Sequence, residues 1–326
     1  MAQEPEQRVA IIDLGSNSFR MVVFAPSDGS WKQVDELSSA VRIGEGMATS
    51  GRLSEAAMTR AIQTLEMFTA LCERRGLDEH AVDAVATSAI REAENGREFL
   101  DQVRLRTGMD VRVLSREQEA RYGYLAAVNS TTLSDGCVLD LGGGSLQLVR
   151  VAGRLARESG SWRMGAVRMT ERFLAGPGAA KRGQLKALQA HVERKLERAP
   201  WLKNTGSHLV GLGGTVRNLA AAAERAVGLP DDQVQGFVLD QTVLGELIAR
   251  LAALPAAERS QVPGIKPARA DIVLAGAIVI QGVMRAGDFQ RLEVTGAGLR
   301  EGVFFERQLV RRHVEPVLAS SGARAA

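Results

Sequence analysis

One short pattern, Asp-Leu-Gly-x-x-Ser, occurs twice in the chain, as Asp13-Leu14-Gly15-Ser16-Asn17-Ser18 and as Asp140-Leu141-Gly142-Gly143-Gly144-Ser145. Each copy sits between apolar runs, residues 9–12 and 21–24 around the first, 137–139 and 146–151 around the second. An apolar run, an acidic glycine-bearing turn and a second apolar run predict a β-hairpin. Two such hairpins, with aspartates 127 positions apart, point to a duplicated architecture. Facing each other, they place two carboxylates and two phosphate-sized loops across one cleft. That arrangement suits phosphate chemistry with a divalent metal.

The physical case is local. Inward backbone N–H groups of a turn form an anion-binding concavity. Glycine, lacking Cβ, lets the backbone approach a phosphate closely. Gly15, Gly142, Gly143 and Gly144 allow that approach, and Ser16, Asn17, Ser18 and Ser145 add donors. An aspartate at a strand end cannot bind phosphate directly, but it can hold a hydrated cation that bridges to one. Asp13 and Asp140 are therefore candidate metal ligands. A single copy would read as an ordinary Asx-type turn; two copies agreeing at four positions favour function.

Residues 8–25 read as the first hairpin and residues 31–43 as further strand. Apolar spacing at Ala57, Ile62, Leu65, Phe68 and Leu71 predicts a helix from an N-cap at Ser54 to a stop at Gly76. Short strands over 82–87 and 111–114 flank a helix over 93–107, closed by Gly108. Ser115 and Gln118 fit a capping box that opens a helix through Glu119 to about Val128. The second half repeats the logic. It has a hairpin at Asp140, a helix over 181–196, a strand over 209–211 and a helix over 216–226. Helices over 239–254 and 269–285, a strand from Leu292 into a glycine turn at Gly298, and a last helix from Leu299 to about Arg312 complete it. Strands alternating with helices indicate α/β layers. The polar stretch Asn129-Ser130-Thr131-Thr132 marks the expected boundary between a domain over 1–128 and another over 129–298.

Three further places offer chemistry. Gly213-Gly214-Thr215 ends a turn at a strand-to-helix junction, where helix N–H groups face an anion. It lacks the ending of a P-loop, and a structural turn is an equal reading. In Thr87-Ser88-Ala89-Ile90-Arg91, Thr87 and Ser88 can donate to phosphate and Arg91 can clamp it bidentately. The plainer reading is an N-capping segment with a solvated arginine. Glu119 can orient or deprotonate water, but its spacing favours a surface glutamate paired with Arg116 or Arg121. His80, His191, His208 and His313 form no His-Asp pair or metal-spaced cluster and read as surface or supporting residues.

Composition narrows the classes. An apolar fraction of 45% and a charged fraction of 24% suit a soluble globular protein. Lys and Arg are dispersed and the net charge is only +3, which argues against nucleic acid and fits a small polyanion. Cys72 and Cys137 give neither a disulfide framework nor metal spacing, and are expected to be buried and reduced in a cytoplasmic protein. The polar, acidic start is not a secretory signal. The longest apolar stretch, 272–280, is too short to span a bilayer, so no membrane partner is expected. The small, polar tail over 319–326 is expected to fray.

The motifs together resemble the exopolyphosphatase/guanosine pentaphosphate phosphohydrolase family, over about Val9 to Gly302. The carriers are the first turn extended to Ile12 and Phe19-Arg20, the stretch Ala86-Thr87-Ser88-Ala89-Ile90-Arg91-Glu92-Ala93, the stretch Ser115-Arg116-Glu117-Gln118-Glu119-Ala120-Arg121-Tyr122, the second turn, and Gly213-Gly214-Thr215. The resemblance implies the fold of the actin, sugar-kinase and heat-shock-ATPase superfamily. That fold has two ribonuclease-H-like α/β domains around a central cleft, with the C-terminal helix in 299–326 packing back on the first. It implies that Asp13 and Asp140 position metal and water, with Mg²⁺ as cofactor or Mn²⁺ in its place. It also implies that the turns bind phosphate, Arg91 holds the terminal phosphate and Glu119 is the general base. Arg20 and Arg269 are candidate guanosine or pyrophosphate contacts, and Ser88 is a supporting donor. The expected activity is release of orthophosphate from the end of inorganic polyphosphate. The alternatives are a guanosine pentaphosphate 5′-phosphohydrolase, an ATP-dependent kinase sharing both turns, or a polyphosphate or alarmone sensor without turnover. Expected partners are inorganic polyphosphate or guanosine pentaphosphate and tetraphosphate, with a homodimer as the expected assembly. Two departures stand out. Gln147 replaces a usual glutamate; it is neither base nor anionic ligand, but can hydrogen-bond water or phosphate. The extra C-terminal helical domain of long members is not matched, so a short form without long-chain processivity is expected.

Overall fold

Residues 9–14, Val-Ala-Ile-Ile-Asp-Leu, are apolar at every position but one, and a strand apolar on both faces must be covered on both. In the computed structural model this is β1 (Val9–Leu14). Ala10, Ile12 and Leu14 pack into one core layer, Val9 and Ile11 into another. The structure describes residues 8–27, 30–176, 178–228 and 234–314, with side chains as far as Arg307. The expected frayed tail and residues 1–7 lie outside the described residues.

β1 pairs antiparallel with β2 (Phe19–Ser27), which pairs with β3 (Ser30–Ser39). On its other side β1 runs parallel to β4 (Val82–Ala86), which pairs with β5 (Val111–Val113). The order is β3-β2-β1-β4-β5. In the second sheet β6 (Gly136–Leu141), β7 (Leu146–Ala152) and β8 (Leu155–Trp162) repeat the antiparallel meander, and β9 (Leu209–Leu212) runs parallel to β6. β10 (Val238–Asp240) and β11 (Arg291–Val294) extend it to the order β10-β11-β9-β6-β7-β8. Without the edge strand β10 the two orders coincide, so the repeated turn reports a repeated ribonuclease-H-like sheet. The register repeats too: Asp13 stands opposite Arg20, and Asp140 opposite Gln147.

Helices α1 (Met47–Ser50), α2 (Glu55–Arg74), α3 (Ser88–Glu92), α4 (Gly96–Thr107) and α5 (Arg116–Ser130) belong to the first half. Helices α6 (Ala166–Phe173), α7 (Arg182–Leu196), α8 (Gly214–Ala226), α9 (Gln241–Ala253) and α10 (Val273–Ala286) belong to the second, and α11 (Leu299–Val314) follows. α11 lies on the first sheet: Phe304 stacks on Phe24 at 4.0 Å between centroids and meets Trp31 edge-on at 5.2 Å. It crosses α5 at Gly302, where a side chain has no room against the Tyr122 carbonyl. α5 serves both halves. Tyr122 and Leu125 pack with the first sheet and α11, while Ala120, Ala126, Ala127 and Val128 pack with Val138, Val149 and Val210 of the second.

Several elements differ from the sequence expectation. The helix expected over 93–107 begins at Gly96, because the Asn95 side chain bonds the Leu53 N–H and carbonyl at 2.8 and 3.0 Å and interrupts it. The strand expected to reach residue 43 ends at Ser39. The helix expected from residue 239 begins at Gln241, since Asp240 caps it by accepting from the Thr242 N–H at 2.8 Å. The helix expected from residue 269 begins at Val273, after a 3-10 turn. The sequence expectation contains no counterpart of α1, α3, α6, β8 or β10. Cys72 and Cys137 are buried and free, as expected. Among the described residues, no helix is long and apolar enough to cross a membrane.

Candidate active site

The two acidic turns meet in one cleft, lined by Asp13, Gly15, Ser16, Asn17 and Ser18 from the first and by Asp140, Gly142, Gly143 and Ser145 from the second. Their carbonyls are already engaged. Those of Ser16 and Asn17 accept the N–H groups of Gly44 and Arg42, each at 2.9 Å. Those of Gly142 and Gly143 accept Ala166 and Val167 at 3.0 and 2.9 Å. Occupied acceptors leave the free N–H groups of the turns to face an anion, the Gly142 N–H being taken by the Ser145 carbonyl at 3.0 Å. Ser16 Oγ lies 3.1 Å from Ser88 Oγ, joining the first turn to the start of α3.

Glu119 enters the cleft from the first turn of α5. The helix begins there because Ser115 and Gln118 form the reciprocal capping box, at 2.8 and 3.2 Å. Glu119 is 3% exposed. Arg91 Nη1 donates to its Oε1 at 2.8 Å, Gln147 Nε2 to its Oε2 at 2.6 Å, and Ser145 Oγ to Oε2 at 3.3 Å. Burial raises the Glu119 pKa, against the pull of Arg91 and Ser145. Burial also pushes Asp13 up to about 6, against Arg300 and Arg20. It pushes Asp140 up to about 7, helped by the charges of Glu119 and Asp13.

Four arginines line the same cleft: Arg20, Arg217, Arg269 and Arg300. Arg217 on α8 donates to the Gly296 carbonyl at 2.6 Å. Arg269 holds its guanidinium over Gly214, the first residue of α8. The turn into that helix needs glycine at 213, where φ is +100° and a side chain would strike the Leu141 carbonyl. Arg300, in the first turn of α11, pairs with Glu36 at 2.9 Å. Burial lowers the Arg20 pKa to about 9, with Arg217 and Arg300 adding to the effect. Burial and Arg20 lower that of Arg269 to about 10. Crowded buried cations of this kind are relieved by an anion. The cleft thus combines three carboxylates with four guanidiniums.

Asp13 Oδ1 is buried without a hydrogen-bond partner. Among the described residues, no three His, Cys, Asp or Glu side chains converge to hold a metal ion. This donor set suits hydrated Mg²⁺, which takes one or two carboxylates and completes its shell with water and phosphate oxygens. It does not suit an ion that needs an all-protein cage.

Most of the expected site residues share this cleft, including Arg20, Ser88, Glu119, Gln147, Gly213, Gly214 and Arg269. Three do not line it. Arg91 stands behind Glu119, with Nη1 also donating to the Leu114 carbonyl at 2.7 Å; it is not the solvated capping-segment arginine that the plainer reading offered. Gly144 packs against Ser88, and Thr215 is buried beside Gly276. Glu119 is not the surface glutamate that spacing favoured: Arg116 pairs instead with Glu92, and Arg121 with Glu306. The surface reading also fails for two histidines. His191 is buried with its ring 5.0 Å from that of Phe173, and His208 is half-buried against Glu293 at 2.6 Å. His80 is exposed, and the His313 side chain lies outside the described residues. Sequence reasoning missed Arg217 and Arg300. Each follows a glycine turn by one helical turn or less, the signal that had singled out the turns themselves.

The sequence pattern of the Ppx/GppA phosphatase family matches residues 22–310 of this chain. Exopolyphosphatase 1 of Mycobacterium tuberculosis is 29% identical to it, over 92% of this chain and 88% of its own. Among solved structures, the Aquifex aeolicus member of the Ppx/GppA family has a TM-score of 0.78 at 33% identity, covering 95% of this chain and 100% of that one. An exopolyphosphatase from Cytophaga hutchinsonii has the same fold, with a TM-score of 0.85 at 24% identity over 92% of this chain and 97% of that one.

Proposed function

The chain belongs to the Ppx/GppA phosphatase family, and on that footing we propose that it hydrolyses the terminal phosphoanhydride of inorganic polyphosphate and releases orthophosphate. The observation that carries the reading is Glu119. It is buried between the two phosphate-sized turns, with both oxygens held by Arg91, Gln147 and Ser145. A carboxylate fixed in direction and facing an anion site is placed to activate water.

The division of labour follows from the side chains. Arg20, Arg217, Arg269 and Arg300 hold the phosphates behind the reacting one through charge-assisted bonds. The two turns receive the terminal phosphate and stabilise charge on its oxygens as the bond to the chain loosens. A carboxylate oxygen offers two acceptor positions. Oε2 of Glu119 uses both on Gln147 and Ser145, whereas Oε1 uses one on Arg91. Oε1 therefore takes the proton of the in-line water. Gln147 contributes a neutral donor, which favours the ionised form of Glu119. Asp13 and Asp140 would hold Mg²⁺, or Mn²⁺ in its place, which would supply positive charge against the charge that develops on the phosphate.

A second reading, release of the 5′-phosphate from guanosine pentaphosphate, has one observation in its favour. A wider cavity of about 1060 Å³ opens past Arg20, Arg217 and Arg269. Gln33, Asn218, Gln235 and Lys266 line it, so it offers room and hydrogen-bonding groups for a nucleoside. Orthophosphate release from polyphosphates of defined length and from guanosine pentaphosphate, side by side with Mg²⁺, Mn²⁺ or chelator, ranks the substrates. Binding without release from either would sink the enzymatic reading and leave a sensor. Glu119→Gln is expected to lower kcat by about 100-fold or more with KM little changed. Full turnover in that variant would remove Glu119 from the reaction.

A further inference from the structure

A second concave surface lies beyond the Gly143-Gly144 turn and shares no lining residue with the cleft. It is formed by α1, the end of β8, α6 and α7. Between the two lies a small gap lined by Ser16, Gly143, Gly144 and Arg168 among others. Arg168 bridges them, donating to the Gly144 carbonyl at 3.2 Å.

This groove is strongly and unevenly charged. Arg163, Arg168, Arg172, Lys195 and Arg198 line it, against Glu94 alone among its lining carboxylates. Glu94 pairs with Arg52 at 3.4 Å. Arg163 and Arg168 share Glu92 with Arg116, at 2.6, 2.8 and 3.2 Å, so one carboxylate serves three guanidiniums. Arg172, Lys195 and Arg198 have no carboxylate partner among the described residues. Protein surfaces ordinarily intersperse the two signs; a concavity lined by one sign concentrates its counter-ion. The walls are also positioned. Trp162 Nε1 donates to the Lys195 carbonyl at 3.1 Å, tying α7 to the end of β8. His191 sits in the floor, 3.4 Å from Arg194, and burial with Arg172, Lys195 and Arg194 pushes its pKa down to about 4. The groove therefore carries an excess of positive charge, because its one lining carboxylate, Glu94, is already paired with Arg52.

We infer that this groove is a second anion site, which takes a compact run of phosphates separately from the cleft. Two sources supply that chemistry: a free oligophosphate, or the distal end of a long chain whose other end occupies the cleft. The test uses the Arg172→Glu/Arg198→Glu double variant, both positions being exposed and outside the cleft, with Arg74→Glu as a surface control. In the first arm, tripolyphosphate is titrated calorimetrically into full-length Glu119→Gln protein. Two binding events are expected, of which the double variant removes one, or weakens it at least tenfold, while Arg74→Glu alters neither. In the second arm, a distal-end role predicts that the double variant raises KM for long polyphosphate and not for tripolyphosphate. Either result supports the site. A single binding event insensitive to the double variant, together with unchanged KM for both chain lengths, overturns it. Equal losses with Arg74→Glu overturn it as well. The binding arm reads the groove even if the cleft proves to have no hydrolytic activity, so the two readings fail separately.

Discussion

Arg20 and Gln147 hold the same place in the two repeats, each across the strand register from its aspartate. One puts a cation beside Asp13; the other puts an amide beside Asp140 and passes its hydrogen bond to Glu119. Asp140 has no cation directly opposite; burial first, then the charges of Glu119 and Asp13, give it the larger shift, from 3.8 to about 7. The sign of its effect on stability follows. The folded state binds the proton more tightly than the unfolded chain. The contribution is thus complete below pH 3.8 and is lost as pH rises through about 7. Asp140→Asn keeps the shape without the charge. In chelator at pH 8 it is expected to melt at a higher temperature than the wild type, the advantage shrinking as pH falls from 7 towards 3.8, while turnover is abolished. Thermal scans across that range check it, and a Tm gain that does not vary with pH would refute the assignment. The aspartates were legible in the sequence because the turn repeats. Glu119 was not legible from local spacing, which offers only neighbours on its own helix; its actual partner, Arg91, comes from α3. Arg217 and Arg300 lie outside the repeated pattern, and only their place just after a glycine turn marks them in the sequence.

Among the elements, the α5–α11 crossing governs what the cleft can contain. α5 brings Glu119 and α11 brings Arg300, and they touch where Gly302 meets the Tyr122 backbone. Backbone cannot give way as a side-chain tip can, so Gly302→Val is expected to push α11 outward and disturb the Phe24–Phe304 stack. Overpacking of this kind costs about 1–3 kcal/mol. The variant should unfold at lower temperature and show a raised KM, because Arg300 moves with the helix. Unchanged stability would mean that the crossing has slack. The start of α5 was readable from its capping box, which is entirely local. The break at residues 93–95 was not, because Asn95 finds its partner at Leu53, far away in sequence. β8 is illegible in the sequence for another reason. Only β7 pairs with it, it lies at the sheet edge, and its polar run lacks the alternation that marks a half-buried strand.

Across the whole molecule, the halves are clasped beside the cleft. Arg42 grips Asp271 with two bonds at 2.7 and 3.1 Å, and Glu171 accepts the N–H groups of Gly46 and Ala48 at 2.7 and 3.2 Å. Half-exposed pairs contribute up to about 1 kcal/mol. Asp271→Ala is therefore expected to raise KM about threefold with kcat nearly unchanged. A fall in kcat alone would show that the clasp acts on chemistry rather than on closure. The duplication was legible from two short turns, while the place to divide the chain was not, and α5 explains why. Its residues complete the interior of both sheets, Tyr122 and Leu125 on one side, Ala126, Ala127 and Val128 on the other. Although the gene product looks like two copies of one unit, neither copy is severable. Halves made as separate polypeptides would each carry an apolar scar where the other's wall had been, and would either reassociate through it or precipitate.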